Sequence, residues 1–152
     1  MHSRIFQFSE KPISKDDFIT EETFYYDEAF IGTIAEYVSE DVERGEDIEW
    51  LLAELVPHGA VFNKEEESIV FPKGFKESYF SRRLADLKKK INEVSLEEFA
   101  RCSVTAYELR KMIEDKFSFY IYYYYPQPID GFIRDLEEDT KYYIGGVIDY
   151  KA

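Results

Sequence analysis

Phe117-Ser118-Phe119-Tyr120-Ile121-Tyr122-Tyr123-Tyr124-Tyr125 is the stretch on which the fold class turns. Read with a period of two, Phe117, Phe119, Ile121, Tyr123 and Tyr125 point one way, and Ser118, Tyr120, Tyr122 and Tyr124 the other. Aromatic and β-branched residues favour extended backbone, so the stretch predicts a strand. Both faces are aromatic and need cover, which places the strand inside a sheet, with Pro126 and Pro128 ending it.

The flanking sequence supplies further strands. Residues 141–150 predict one, and Gly145-Gly146 within it marks a bulge or close packing under bulky tyrosines. Residues 4–9 predict another. Residues 60–63 and 68–71 predict two short strands joined as a hairpin by Lys64-Glu65-Glu66-Glu67. Residues 129–136 fit a helix through Ile129, Phe132, Ile133 and Leu136, or a strand paired with residues 141–150.

Helical spacing sets the rest. Ile48, Leu51, Leu52 and Leu55 make a helix over 47–56 that Pro57 stops. The longest helix, over 74–93, has an apolar stripe of Phe75, Tyr79, Phe80, Leu84, Leu87 and Ile91. Ser95 with Glu98, and Thr105 with Glu108, have the form of capping boxes; the second helix is expected to bury Leu109, Met112 and Ile113. Phe30, Ile34, Tyr37, Val38 and Val42 fit a helix over 28–42, with a strand through 31–38 as the alternative because of Gly32. The expectation is an α+β fold: a mainly antiparallel sheet with helices packed on it, as a single domain over residues 1–152.

A chain of 152 residues buries roughly 70% of the surface its unfolded form exposes, so it needs no staple. The lone Cys102 excludes an internal disulfide and suits a reducing compartment. Residues 1–8 hold no signal-peptide core, and no apolar run approaches the roughly 20 residues of a membrane span. Cytoplasm is the expected location.

The net charge of −13 is uneven. Residues 1–70 hold 18 acidic and 5 basic side chains, and residues 71–152 hold 14 of each. A field of this sign repels nucleic acid and anionic membranes and favours a basic protein partner. The acids cluster at Asp16-Asp17, Glu21-Glu22, 40–49 and 65–67, making Glu43, Asp47, Glu49, Glu65, Glu66 and Glu67 the candidate binding residues. The three glutamates of the hairpin turn are expected to be solvated.

Other chemistry is poorly supplied. His2, His58 and Cys102 do not make a zinc ligand set, and no metal or other cofactor is expected. Asp41 to Leu52 has acids around Gly45, but the glycine falls one position early and Leu52 stands where a calcium loop needs a bidentate glutamate. Pro128-Ile129-Asp130 followed by Asp149-Tyr150-Lys151 has the outline of the acid plus Asp-x-Lys set that holds Mg²⁺ in restriction-type nucleases. An extra residue stands between Pro and Asp, and the chain ends before the rest of such a core. His58 reads as a turn histidine. Arg82, Arg83, Lys88, Lys89 and Lys90 form a basic helix face, solvated or docked on the acidic half. The tyrosine run is either a stacking platform or a packed strand with its hydroxyls at the surface.

The expected function is a non-enzymatic acidic interaction protein: an inhibitor, an immunity or antitoxin-like protein, or a DNA mimic that masks a basic surface. A Mg²⁺-dependent nuclease or related hydrolase is the first alternative. A structural subunit of a homo-oligomer is the second.

Overall fold

The computed structural model describes residues 1–25, 29–101, 103–113 and 118–152. Cys102 and Phe117, which figure in the sequence reading, lie outside them, as does the start of the helix expected over 28–42.

Strand β7 (Lys141–Lys151) is the hub of a seven-stranded sheet. It pairs antiparallel along β1 (His2–Ser9), and on its other edge with β4 (Ser68–Val70) at one end and β2 (Tyr37–Ser39) at the other. β4 closes the expected hairpin with β3 (Val61–Asn63). Beyond β1 lie β5 (Tyr120–Tyr123) and β6 (Tyr125–Pro128). The order is β3-β4-β7-β1-β5-β6.

The expectation of a mainly antiparallel sheet is corrected: the sheet is mixed, because β1 and β5 run parallel, with Ile5 opposite Tyr120 and Gln7 opposite Tyr122. Parallel neighbours need a crossover rather than a tight turn. Here residues 10–119 supply it, carrying α1 (Glu21–Tyr25), α2 (Arg44–Leu55), α3 (Phe75–Glu93), α4 (Leu96–Arg101) and α5 (Ser103–Ile113). α6 (Ile129–Asp135) resolves the ambiguous 129–136 stretch as a helix.

The alternation expected of the tyrosine strand holds. Phe119 and Ile121 join the core beneath α2, α3 and α6, with Tyr123 packed against it, while Tyr120 and Tyr122 join a second cluster with Ile19, Phe24, Phe30 and Val38. The strand is shorter than expected and turns back at Tyr124. Tyr123 opposes Tyr125, and Tyr124 alone forms the hairpin apex with a left-handed φ of 65°. Pro126 and Pro128 therefore lie within β6. β6 is an edge strand, and prolines two apart both face away from β5, where no donor is needed.

Gly145 and Gly146 form the expected bulge. Ser3 to Phe6 pair with Tyr150 to Val147 in one register, which then shifts between Phe6 and Phe8. The extra residue flips the parity of β7: Tyr142 and Ile144 precede the bulge on the helix-covered face, and Val147 continues there after it. What presses on the glycines is not tyrosine. Gln7 Oε1 accepts from Gly146 N (2.9 Å) and Ile19 N (3.0 Å), pinning residues 17–19 over the pair. Arg44 takes up the carbonyls of Gly145 (3.0 Å) and Ile144 (3.1 Å).

Three local expectations are corrected. Residues 31–39 form turns, a bridge between Ile31 and Ala35, and β2, rather than a helix. α5 begins at Ser103, so Thr105 lies inside it and is not its cap, whereas Ser95 does cap α4 through Glu98 N (3.1 Å). The stripe of α3 is buried only at Phe75 and Tyr79; Leu84 and Ile91 are exposed, and so is Ile113 of α5. No helix among the described residues is long and apolar enough to cross a membrane.

Candidate functional site

Two regions concentrate polar chemistry: the acidic first half and a cleft at one end of the sheet. In the first, α1 meets the end of β2 through two bonds from backbone N–H groups to carboxylates. Glu21 N donates to Glu40 Oε2 (3.3 Å), and Glu40 N to Glu21 Oε1 (3.0 Å). Asp41, Glu43 and Glu46 follow, all exposed. The Tyr25 phenol is raised above its usual range by its hydrogen bond to Glu21, and further by the charges of Glu21, Glu22 and Glu40.

The six candidate residues do not form one surface. Glu43, the residue before α2, and Glu49 and Glu65 are exposed. Asp47 turns inward, 7% exposed, and accepts from Arg4 Nε (2.8 Å). The glutamates of the hairpin turn lie at the surface as expected, Glu65 and Glu66 exposed and Glu67 partly so, but two of the three are paired. Glu66 takes Lys141 Nζ (2.9 Å) and the Ser68 hydroxyl (3.0 Å), which lower it below the usual carboxylate range, and Glu67 pairs with Arg44. Sequence proximity predicts a cluster, but the helix turns Asp47 and Glu49 to different sides.

The cleft has a volume of about 700 Å³. Trp50, Ala53 and Glu54 of α2, Tyr79, Arg82 and Arg83 of α3, His58, and the start of β1 line it. At its base the buried Asp130 accepts from the Tyr79 hydroxyl (2.7 Å) and from Arg83. Burial, and then the bond to Asp130, push the Tyr79 phenol far above its usual range, so it stays a neutral donor. Glu54 is raised by partial burial, against the pull of Arg83; more than a third of its surface is open, so solvent in the cleft screens the shift.

At the mouth, His2 Nδ1 lies 2.8 Å from Asp149 Oδ2. Asp149, 8% exposed, also pairs with Arg4, so one guanidinium bridges Asp47 of α2 and Asp149 of β7. An imidazole held by a carboxylate is half of a nucleophilic couple. Ser3 Oγ, next in sequence, donates instead to the Ser118 carbonyl (3.1 Å). His58 Nδ1 is 3.0 Å from Ser78 Oγ and its ring packs edge-on against Tyr79.

The residues of the Asp-x-Lys pattern are each engaged elsewhere: Asp130 with Arg83, Asp149 with Arg4 and His2, and Lys151 with Glu36 (3.1 Å). Among the described residues no group of three or more His, Cys, Asp or Glu is placed to hold a metal ion. On the basic face of α3, Arg83 reaches Asp130, Arg82 reaches Asp86 (3.0 Å) and Lys90 reaches Glu108 (2.8 Å), all within the second half of the chain.

The bridging Arg4 escaped the sequence reading, although a lone cation beside Ile5 and Phe6 in a core strand signals a buried partner. No protein-family model, curated protein or solved structure matches the chain.

Proposed function

We propose that the chain is a non-enzymatic interaction protein whose acidic first half engages a basic protein partner, in the manner of an inhibitor or an immunity protein. The observation that supports this reading is the surface where Glu21 and Glu40 are drawn together, with Glu22 beside them in α1 and the exposed Asp41, Glu43 and Glu46 following in the chain. Gathering like charge costs stability through self-repulsion, and a steering field for a basic partner offsets that cost in function. Hydrogen exchange of the whole chain with an oligolysine probe tests it. Protection is expected over α1, the end of β2 and the start of α2. Protection confined to residues 71–152 contradicts it.

One observation favours a second reading, a subunit of a homo-oligomer. Leu84, Ile91, Leu96, Phe99, Val104 and Ile113 on α3, α4 and α5 are all at least half exposed, Leu96 at 84%. Apolar side chains gathered on neighbouring helices are the form an interface takes. Sedimentation of the wild type against a Leu96→Asp/Phe99→Asp variant decides: a self-associating chain becomes monomeric in the variant. The hydrolase alternative requires Asp130 and Asp149 to be released from Arg83 and Arg4, and it gains no support from their placement.

A further inference from the structure

On the side of the sheet where β5 turns into β6, a cleft of about 340 Å³ is walled by tyrosine. Phe132 and Tyr142 are its buried base, Tyr123 a half-buried wall, and Tyr124 and Tyr125 its exposed rim. The rings pack as a connected set: Tyr123 lies 5.8 Å from Phe132 and 5.7 Å from Tyr142, both edge-on, and 4.7 Å from Tyr124. Among the described residues, the same lining holds three carboxylates, Glu10, Asp135 and Glu137, and no Lys, Arg or His.

We propose that this cleft is a cation-binding cage that receives a side-chain ammonium of a basic protein partner. The inference rests on the functional reading above and names the group that the partner presents. Aromatic faces carry negative charge density and attract ammonium groups most strongly where water is reduced. The carboxylates set the sign of the ligand, and the aromatic faces favour an organic ammonium over a metal ion, which needs oxygen ligands on all sides. Tyr123 donates its hydroxyl to Glu10 (2.6 Å), which holds that carboxylate at the cleft. The bond to Glu10, with burial and the Glu10 charge, raises the phenol far above its usual range, so it keeps its proton.

Tyr124 carries the argument furthest. It is 83% exposed, so the core gains nothing from its ring. It sits at a left-handed φ of 65° at a one-residue apex, where glycine is the unstrained residue. A bulky residue is strained there, and such strain is characteristic of sites with a use for the side chain. A ring held at the rim, tilted against Tyr123 at 4.7 Å, is that use.

The test titrates the full chain with three probes, read by calorimetry and tyrosine ring NMR. The probes are a Gly-Lys-Gly peptide with blocked ends, choline, and 3,3-dimethylbutan-1-ol, the neutral carbon isostere of choline. The peptide and choline are expected to saturate and compete for one site, and the isostere to bind at least about fivefold more weakly. Tyr124→Gly is expected to weaken both cations by at least about fivefold while leaving the thermal midpoint unchanged or higher, since it relieves the backbone. Equal binding of the isostere, undiminished binding by Tyr124→Gly, or failure of either cation to saturate overturns the cage. Saturation by choline without the peptide overturns its assignment to a protein side chain. Oligolysine binding that stays salt-dependent in Tyr124→Gly while choline binding is absent from the wild type sinks the cage and leaves the acidic-surface reading standing. Choline binding with salt-independent oligolysine binding does the reverse.

Discussion

Replacing Arg4 by methionine removes the guanidinium that ties α2 to the central strands. Arg4 bridges Asp47 and Asp149, which are 7% and 8% exposed, and packs over the Trp50 ring at 5.7 Å. Methionine keeps much of the volume and none of the charge. Asp149 retains His2 at 2.8 Å, whereas Asp47 loses its ion pair. Removing one partner of a buried pair costs about 3–5 kcal/mol, and the surviving His2 contact places this case near about 3. For a chain of this size that is a fall of roughly 6–12 °C in the thermal midpoint. Urea unfolding followed by circular dichroism measures it. Two further results are expected. Asp47→Leu in the Arg4→Met background recovers part of the loss, because the Asp47 charge is then no longer left stranded. The slope of the urea transition is unchanged, because the fold is. A cost under about 1 kcal/mol, typical of an exposed ion pair, refutes the reasoning.

Gly146→Ala is expected to destabilise by about 1–2 kcal/mol, since a Cβ there would lie 2.9 Å from the Ile19 carbonyl oxygen, whereas Gly131→Ala in α6 meets nothing within 4 Å and is expected to stabilise by about 0.5–1 kcal/mol; thermal denaturation of the pair checks both signs. Glu54→Gln tests the cleft: burial raises the folded-state value of Glu54, so its contribution is fully present below the unfolded-state value and is lost as pH rises through the folded-state one. The variant should therefore exceed the wild type in stability at neutral pH and lose the advantage in acid, as unfolding across pH will show.

Much of the fold was legible because it was local. The β3–β4 hairpin, α2, α3 and the cap of α4 follow from spacing and turn chemistry within a few residues of each element. The two faces of β5 followed from its alternation, and the bulge from Gly145-Gly146. What escaped was long-range. Phe30, Ile34 and Val38 are packed in the second core cluster as expected of an apolar stripe, but turns at Gly32 and pairing of Tyr37–Ser39 with Asp149 to Lys151 bury them, not a helix. Their four-residue spacing reports burial, and a strand more than 100 residues away decides the backbone. The parallel register of β1 with β5 is likewise invisible to local patterns. Among the candidate site residues, acidity was legible but orientation was not: Asp47 differs from Glu49 by its side of α2, and Glu67 from Glu65 by the arrival of Arg44.

The central claim, that the acidic first half steers a basic partner, is tested most directly by association kinetics against salt. The wild type is compared with a variant carrying Glu22→Gln, Asp41→Asn and Glu43→Gln, three exposed residues around the Glu21–Glu40 contact that leave the paired Asp47, Glu66 and Glu67 untouched. Such surface changes alter stability by no more than about 0.5 kcal/mol, so the fold is constant across the comparison. With an immobilised oligolysine probe, the wild-type on-rate is expected to fall steeply as ionic strength rises and the Debye length shortens, and the triple variant to associate more slowly at low salt with a flatter dependence. On-rates that ignore both salt and the three substitutions contradict the account.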